Sequence, residues 1–345
     1  MISVLLPYRD CAPTLEAAME SVLAERDVAL ELIAIDDGSR DGGARIAERI
    51  AASDRRVVCV RAGDAGSEGA ARGVGIAATL RCGLRVARGA LIGRMDADDV
   101  SIPPRIGAAA RLLAHDDRIA VAATRAVAFA DGEVTLGAGL LAYVDWQNGL
   151  VTPEEHAAAM FVESPVCHPT VVIRRDALEA VGGWSQGRYA EDYELWLKLD
   201  EAGHGFAKVD GPPLFRWRHR AGRFTFTDER CTPARLLELR ALFLSRRLAR
   251  IARSFVIWGA GQTGRRLARA LEAHGLRAEA FIDIDPEKVG RSARGAPIVD
   301  AHDALAAGGV ARRHLVVVAV GARGARATVL ARLRAASVGD VIAAA

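Results

Sequence analysis

The sequence predicts an α/β chain, a parallel sheet with helices on both faces followed by a second, smaller α/β unit. Three observations carry this. Over residues 1–100, short β-branched and Leu-rich runs alternate with segments of helical apolar spacing, the pattern of βαβ units. Three of those runs end in Pro or Asp, and in such sheets ligands bind outside the carboxyl ends of the strands. Near residue 254 a fresh strand runs into Gly259-Ala260-Gly261-Gln262-Thr263-Gly264 and then a helix, a G-x-G-x-x-G turn that opens another unit.

The elements follow in order. Residues 2–6 are a buried strand closed by Pro7. Residues 14–24 place Leu15, Ala18, Met19, Val22 and Leu23 at helical spacing. Residues 30–35 form a second strand that meets Asp36-Asp37-Gly38-Ser39 at once. A helix over 45–52, a strand over 57–60 and a mostly helical stretch over 69–86 come next. The apolar run 90–92 then starts a strand that surfaces into Asp96, Asp98 and Asp99. Carboxylates within about 4–6 Å repel and raise each other's pKa. A hard divalent cation removes that cost, and Mg²⁺ is usually held by one or two carboxylates plus substrate phosphates. The competing use of these acids is an acidic turn capping the helix after Pro103.

Bulk properties exclude several classes. The chain has 345 residues, enough for two domains, with 51% hydrophobic and 26% charged residues. A net charge of +3 argues against a nucleic-acid partner. The five cysteines include no C-x-x-C pair, so neither a zinc site nor a disulfide framework is expected. The chain opens on a strand without a basic leader, so no signal peptide is expected. The expected location is the cytoplasm or the inner face of its membrane.

Four stretches carry a family resemblance: Ser3-Val4-Leu5-Leu6-Pro7, Leu32-Ile33-Ala34-Ile35-Asp36-Asp37-Gly38-Ser39, Arg94-Met95-Asp96-Ala97-Asp98-Asp99 and Ala190-Glu191-Asp192-Tyr193-Glu194-Leu195-Trp196. With His168-Pro169-Thr170 and Gly182-Gly183-Trp184 they cover roughly residues 1–230 in one order. This set resembles the family 2 glycosyltransferases, inverting GT-A enzymes that use nucleotide-diphospho-sugars. The resemblance implies Pro7, Asp37, Arg94, Asp96 and Glu191 as contacts of the nucleotide-sugar. It implies Mg²⁺ or Mn²⁺ at Asp96 and Asp98, with His219 after an alternating strand approaching the metal or diphosphate. It implies Asp192 as the general base. The competing use of Glu191 and Asp192 is helix capping, because a helix N-terminus favours anions. His168 is expected to be structural. The chain departs from the family pattern at Pro7-Tyr8-Arg9-Asp10, where an aromatic and an Asn are usual, and at Arg81, where an Asn is usual.

Residues 119–129 are expected to be one strand, and the apolar pattern weakens over 131–163. There Tyr143 to Asn148 is either part of an acceptor site or a surface connection. Residues 233–253 carry an apolar stripe (Leu237, Leu244, Leu248, Ile251) opposite several arginines, read as an amphipathic link or a peripheral membrane contact. In the last unit Gly259, Gly261 and Gly264 allow close approach of a phosphate, and Asp283 stands where an acid meets a ribose hydroxyl. That unit resembles the small Rossmann-like domains of bacterial sugar acyltransferases.

The expected organisation is therefore a GT-A nucleotide-diphospho-sugar transferase domain (1–232), a linking helix (233–253) and a Rossmann-like domain (254–345) that takes a nucleotide or NAD. The expected partners are a nucleotide-diphospho-sugar and a carbohydrate or lipid-linked acceptor, in surface polysaccharide or glycoconjugate synthesis. The rivals are an NAD-dependent sugar-nucleotide enzyme and a non-catalytic sugar-nucleotide-binding module.

Overall fold

The computed structural model of the chain describes residues 1–62, 73–132, 135–220, 227–322 and 324–344. It divides into two compact units, one of Met1–Ala157 and Pro165–Asp228, the other of Ala158–Ser164 and Glu229–Ala345.

The first unit is built on a seven-stranded sheet. Strand β1 (Ile2–Tyr8) lies between β2 (Leu30–Asp36) and β4 (Leu91–Arg94), all parallel, with β3 (Val57–Arg61) outside β2. β1 and β2 are buried along their whole length, which is why both read as unbroken apolar runs rather than alternating ones. Helices α1 (Ala12–Leu23), α2 (Gly43–Ser53) and α3 (Ile76–Val86) make the crossovers. Part of the helical stretch expected over 69–86 lies outside the described residues.

Beyond β4 the sheet is mixed, not parallel. β8 (Val172–Arg174) inserts antiparallel between β4 and β6 (Ile119–Ala123), and β9 (Gly205–Lys208) closes the edge. The run expected as one strand over 119–129 is two. After β6 the chain leaves for a three-stranded sheet of β5 (Val100–Ser101), β10 (Phe215–His219) and β7 (Ala126–Ala130), in the order β5-β10-β7. The Asn148 amide supports this change, accepting the Ala126 N–H at 3.0 Å and donating to the Ala126 carbonyl at 2.8 Å. Helix α4 (Arg105–His115) connects β5 to β6.

Residues 138–159, where no pattern is legible, fold as α5 (Ala138–Gly149) and α6 (Pro153–Ala159). α5 buries only Val144 and Gln147, so it shows no apolar stripe. Next come α7 (Arg175–Ala180) and α8 (Glu191–Glu201).

The second unit begins with α9 (Pro233–Ile251) and carries a six-stranded sheet in the order β13-β14-β12-β11-β15-β16. Its strands are β11 (Phe255–Trp258), β12 (Phe281–Asp283), β13 (Ser292–Ala293), β14 (Ala296–Asp300), β15 (Leu315–Val318) and β16 (Val341–Ala343). Helix α10 (Gln262–Glu272) follows the glycine turn. α9 is thus part of the second unit rather than a separate link. Its Leu244 and Leu248 are buried and the Arg247 guanidinium lies 4.9 Å over the Phe161 ring, so little of the expected membrane stripe is free beyond Ile251, 40% exposed. Among the described residues no helix is long and apolar enough to cross a membrane. All five cysteines are free thiols.

Candidate active site

The ends of β1, β2 and β4 meet on one side of the sheet because parallel neighbours point the same way. Pro7 sits in register with Ile35, inside β1. Asp37 follows β2, donates its N–H to the Tyr8 carbonyl at 2.9 Å, and is buried. Its carboxylate accepts the N–H of Val74 at 2.6 Å and of Gly75 at 3.2 Å. Gly73 approaches so closely, at φ +80°, that a Cβ would lie 2.5 Å from Arg9 Nη1 and 2.8 Å from the Asp37 carbonyl. Asp37 therefore fastens residues 73–75 across the strand ends, a role no local sequence signal announces.

The three acids after β4 have three different settings. The Arg94 guanidinium, 3% exposed, pairs with Asp96 at 2.7 Å and donates to the Met95 carbonyl. Its Nε has no hydrogen-bond partner among the described residues. Asp98 is 18% exposed and pairs with Arg220 at 3.2 Å. Asp99 is buried and accepts the Arg218 N–H at 2.7 Å, while Arg218 Nε donates to the Asp98 carbonyl at 2.5 Å. Asp99 thus ties the acidic turn to β10. Thr14 adds a hydroxyl bond to the Ala97 carbonyl at 2.9 Å.

Arg105 holds this turn from below, a role missed in the sequence, where it reads as the start of a helix after Pro103-Pro104. It is fully buried and donates to Ser101 Oγ (2.7 Å), the Pro169 carbonyl (3.1 Å) and the Arg94 carbonyl (3.3 Å). The available signal was its position: Arg105 shares the buried face of α4 with Ala109 and Leu113 at helical spacing.

Asp192 lies in the first turn of α8, beside the buried Glu191. Burial raises its pKa, the Asp96 charge raises it further, and the Tyr193 N–H and Arg94 oppose this. The fold thus brings Asp192, distant in sequence, into one electrostatic neighbourhood with Arg94 and Asp96.

His168 is structural. It is buried, and its Nε2 accepts the Trp184 indole N–H at 3.1 Å, with Trp196 edge-on at 5.6 Å. Gly182 and Gly183, both at positive φ, make the turn that delivers Trp184 to it. Burial and Arg94 push the His168 pKa well down. Burial also lowers fully buried His156, to about 4. Both stay neutral in the folded state while the unfolded chain takes protons near pH 6.5. Stability should therefore be full above that value and fall as pH drops, by about 1.4 kcal/mol per pH unit per histidine. Urea midpoints between pH 7 and 5 would show this, and the slope should be halved in His156→Gln.

His219 ends β10, buried, its ring 4.4 Å from that of Trp217. Among the described residues no three His, Cys, Asp or Glu side chains are grouped to hold a metal, so Asp96, Asp98 and His219 do not converge as a protein cage. The donor chemistry still fits a hard cation shared with a diphosphate, which needs only one or two carboxylates. Asp98, at the solvent-facing turn, and Asp96 offer them.

In the second unit the glycine turn is tightly built. A Cβ on Gly264 would lie 1.8 Å from the Gly259 carbonyl, so helix and strand meet there only through glycine. Asp283 departs from its expected use. Its carboxylate accepts the N–H of Ala260 at 2.9 Å and of Ile284 and Asp285 at 2.9 and 3.0 Å, with Lys288 at 3.4 Å. It therefore braces the turn, and a ribose diol would compete with four donors. Beside the turn a cavity of about 480 Å³ is lined by Arg265, Arg266, Arg269, Lys288 and Arg294.

The family model "Glycosyl transferase family 2" matches residues 3–182, and the model "CoA binding domain" matches residues 252–345. The putative glycosyltransferase EpsE of Bacillus subtilis (strain 168) is 31% identical over 207 residues, covering 59% of this chain and 67% of EpsE. The UDP-Glc:alpha-D-GlcNAc-diphosphoundecaprenol beta-1,3-glucosyltransferase WfaP of Escherichia coli is 23% identical over 199 residues, 58% of this chain and 70% of WfaP. Among solved structures, S. aureus TarS 1–349 in complex with UDP-GlcNAc superposes with a TM-score of 0.54 at 16% identity, covering 79% of this chain and 72% of that one, a likeness of fold.

Proposed function

The chain belongs to glycosyl transferase family 2 and is a glycosyltransferase, and we propose that it moves a sugar from a nucleotide-diphospho-sugar to an acceptor hydroxyl by a single inverting displacement. The observation that carries this is the shared neighbourhood of Asp96, Arg94 and Asp192 at the strand ends. The nucleoside lies along the ends of β1 and β2, past Pro7 and Asp37, with its ribose toward Asp96 and Arg94. Asp98, with Asp96, would hold Mg²⁺ or Mn²⁺ against the donor diphosphate, and His219, at the end of β10, does not complete a three-residue cage with them. Such a cation supplies Lewis-acid stabilisation of the charge that builds on the departing diphosphate.

Asp192 takes the proton from the acceptor hydroxyl. That oxygen forms its bond to the anomeric carbon as the bond from that carbon to the diphosphate oxygen breaks on the opposite face. The proton stays on Asp192 and the electron pair leaves with the nucleoside diphosphate. Glu191, buried beside it, would contact the donor sugar. The WfaP name describes a sugar on a lipid diphosphate as acceptor, and an acceptor of that class in polysaccharide or glycoconjugate synthesis fits here.

For the second unit we propose a phosphate-rich nucleotide. The Asp283 carboxylate is engaged by the turn, and five cations line the neighbouring cavity. This favours CoA-like ligands over NAD.

One experiment tests both readings: thermal stabilisation by UDP-, GDP- and dTDP-sugars with and without Mn²⁺, and by CoA and NAD, in wild type and Asp98→Asn. A sugar-nucleotide shift that needs Mn²⁺ and is lost in Asp98→Asn is expected, as is a CoA shift that survives the substitution. No shift with any sugar nucleotide would overturn the donor site. A larger shift with NAD than with CoA would overturn the second reading.

A further inference from the structure

β10 has two faces of different chemistry. Phe215, fully buried, and His219 point into the core, with Trp217 packed against it. Arg216 and Arg218, two residues apart, share the opposite face, where period-2 geometry places them. The strand pairs in parallel with β7, so Arg216 stands opposite Val127 and Arg218 opposite Phe129. Both guanidiniums sit over the Phe129 ring, at 4.4 and 4.5 Å from its centre.

The row starts at the acidic turn. Arg220 pairs with Asp98, and Arg218 is held by the Asp98 carbonyl and the Asp131 carboxylate. Arg216 is exposed, and among the described residues its guanidinium lies on the Phe129 face and pairs with no carboxylate. A cation with no carboxylate, held over an aromatic ring, is pre-organised for an anion.

The surroundings are apolar. Val127, 45% exposed, lies directly opposite Arg216, and Leu141, 43% exposed, is on α5, which packs against β7. The surface thus carries two guanidiniums that share the Phe129 ring, has the exposed Val127 side chain beside Arg216, and runs into the turn that carries Asp98.

We propose that this outer face of the three-stranded sheet seats the acceptor, with Arg216 and, beside it, Arg218 on the diphosphate of a lipid-linked sugar and Val127 under its first isoprenoid units. The assignment rests on the glycosyl-transfer reading above and adds to it the anionic, lipid-bearing acceptor end. Arg216 is the selective anchor, because Arg218 also holds the acidic turn.

The test uses farnesyl diphosphate as the probe, with farnesol and inorganic pyrophosphate as controls, read by quenching of tryptophan fluorescence without added metal. Farnesyl diphosphate is expected to bind, pyrophosphate and farnesol at least tenfold more weakly. Arg216→Ala should weaken the probe at least tenfold while leaving the UDP-, GDP- or dTDP-sugar thermal shift unchanged. Val127→Asn, also on the exposed face, should weaken farnesyl diphosphate but not pyrophosphate. Equal affinity for pyrophosphate and farnesyl diphosphate would overturn the lipid-linked assignment. So would probe binding that ignores Arg216→Ala, or a loss of donor shift in that variant. The donor shift in wild type separates the two readings: if it is present while the probe fails, only this assignment falls.

Discussion

Asp192→Asn is expected to lower turnover by roughly 10²–10⁴-fold, the usual share of a positioned general base, while the donor still stabilises the protein. The substitution keeps the side chain's shape and its place in the first turn of α8, where Oδ1 accepts the Tyr193 N–H at 2.6 Å. It removes only the ability to hold a proton. The setting also fixes a pH dependence. Burial and the Asp96 charge raise the Asp192 pKa, and the base acts when ionised. The rate should therefore fall as pH drops through that raised value, and the acid limb of kcat should lie above the ordinary aspartate range. Replacing Arg94 with Met removes the opposing positive charge, so it should move that limb further up. Unchanged turnover in Asp192→Asn, at donor saturation, would move the base elsewhere.

The helical rivals of these assignments were separated by fold, not by sequence. Asp96, Asp98 and Asp99 read alike along the chain, as three acids at a strand end. In the folded chain Asp96 faces Arg94, Asp98 meets solvent and Arg220, and Asp99 is consumed by β10. That difference depends on β10, more than a hundred residues away in sequence, and no local pattern contains it. The βαβ half was legible because β1 and β2 are buried on both faces and each crossover helix on one, so periodicity reports burial directly. The mixed half was not. β6 and β7 are one largely apolar stretch divided at Thr124-Arg125 between two sheets, and the start of β7 is held by the side chain of Asn148, distant in sequence. The Asp283 position was legible as an acid at a strand end, but its partners, the Ala260 N–H and Lys288, were not. Spacing predicts where a carboxylate stands and leaves open which donors reach it first.

Arg105→Leu is expected to cost about 3–5 kcal/mol, the loss typical when one member of a buried charge cluster is removed. The guanidinium is fully buried yet stays charged. Burial lowers its pKa to about 10 against the pull of Glu25 and Asp99, which still leaves it protonated at neutral pH. Leucine fills some of the volume but leaves Ser101 Oγ and the carbonyls of Arg94 and Pro169 without a donor. It also leaves Glu25 and Asp99 without the nearby cation. A domain is stable by only about 5–15 kcal/mol, so a loss of this size is a large part of the total. The urea midpoint should fall at constant slope, because the same surface is still exposed on unfolding. Arg105→Lys keeps a charge but not the planar fork that reaches three acceptors at once, so it should recover part of the stability. The consequence for function follows from where the bonds lead. Two of the three end on the backbone of the acidic turn's strand and of the His168 turn, so the leucine variant that remains folded should bind donor more weakly than wild type. A midpoint change equivalent to less than about 1 kcal/mol would show that Arg105 is not the tie these bonds describe.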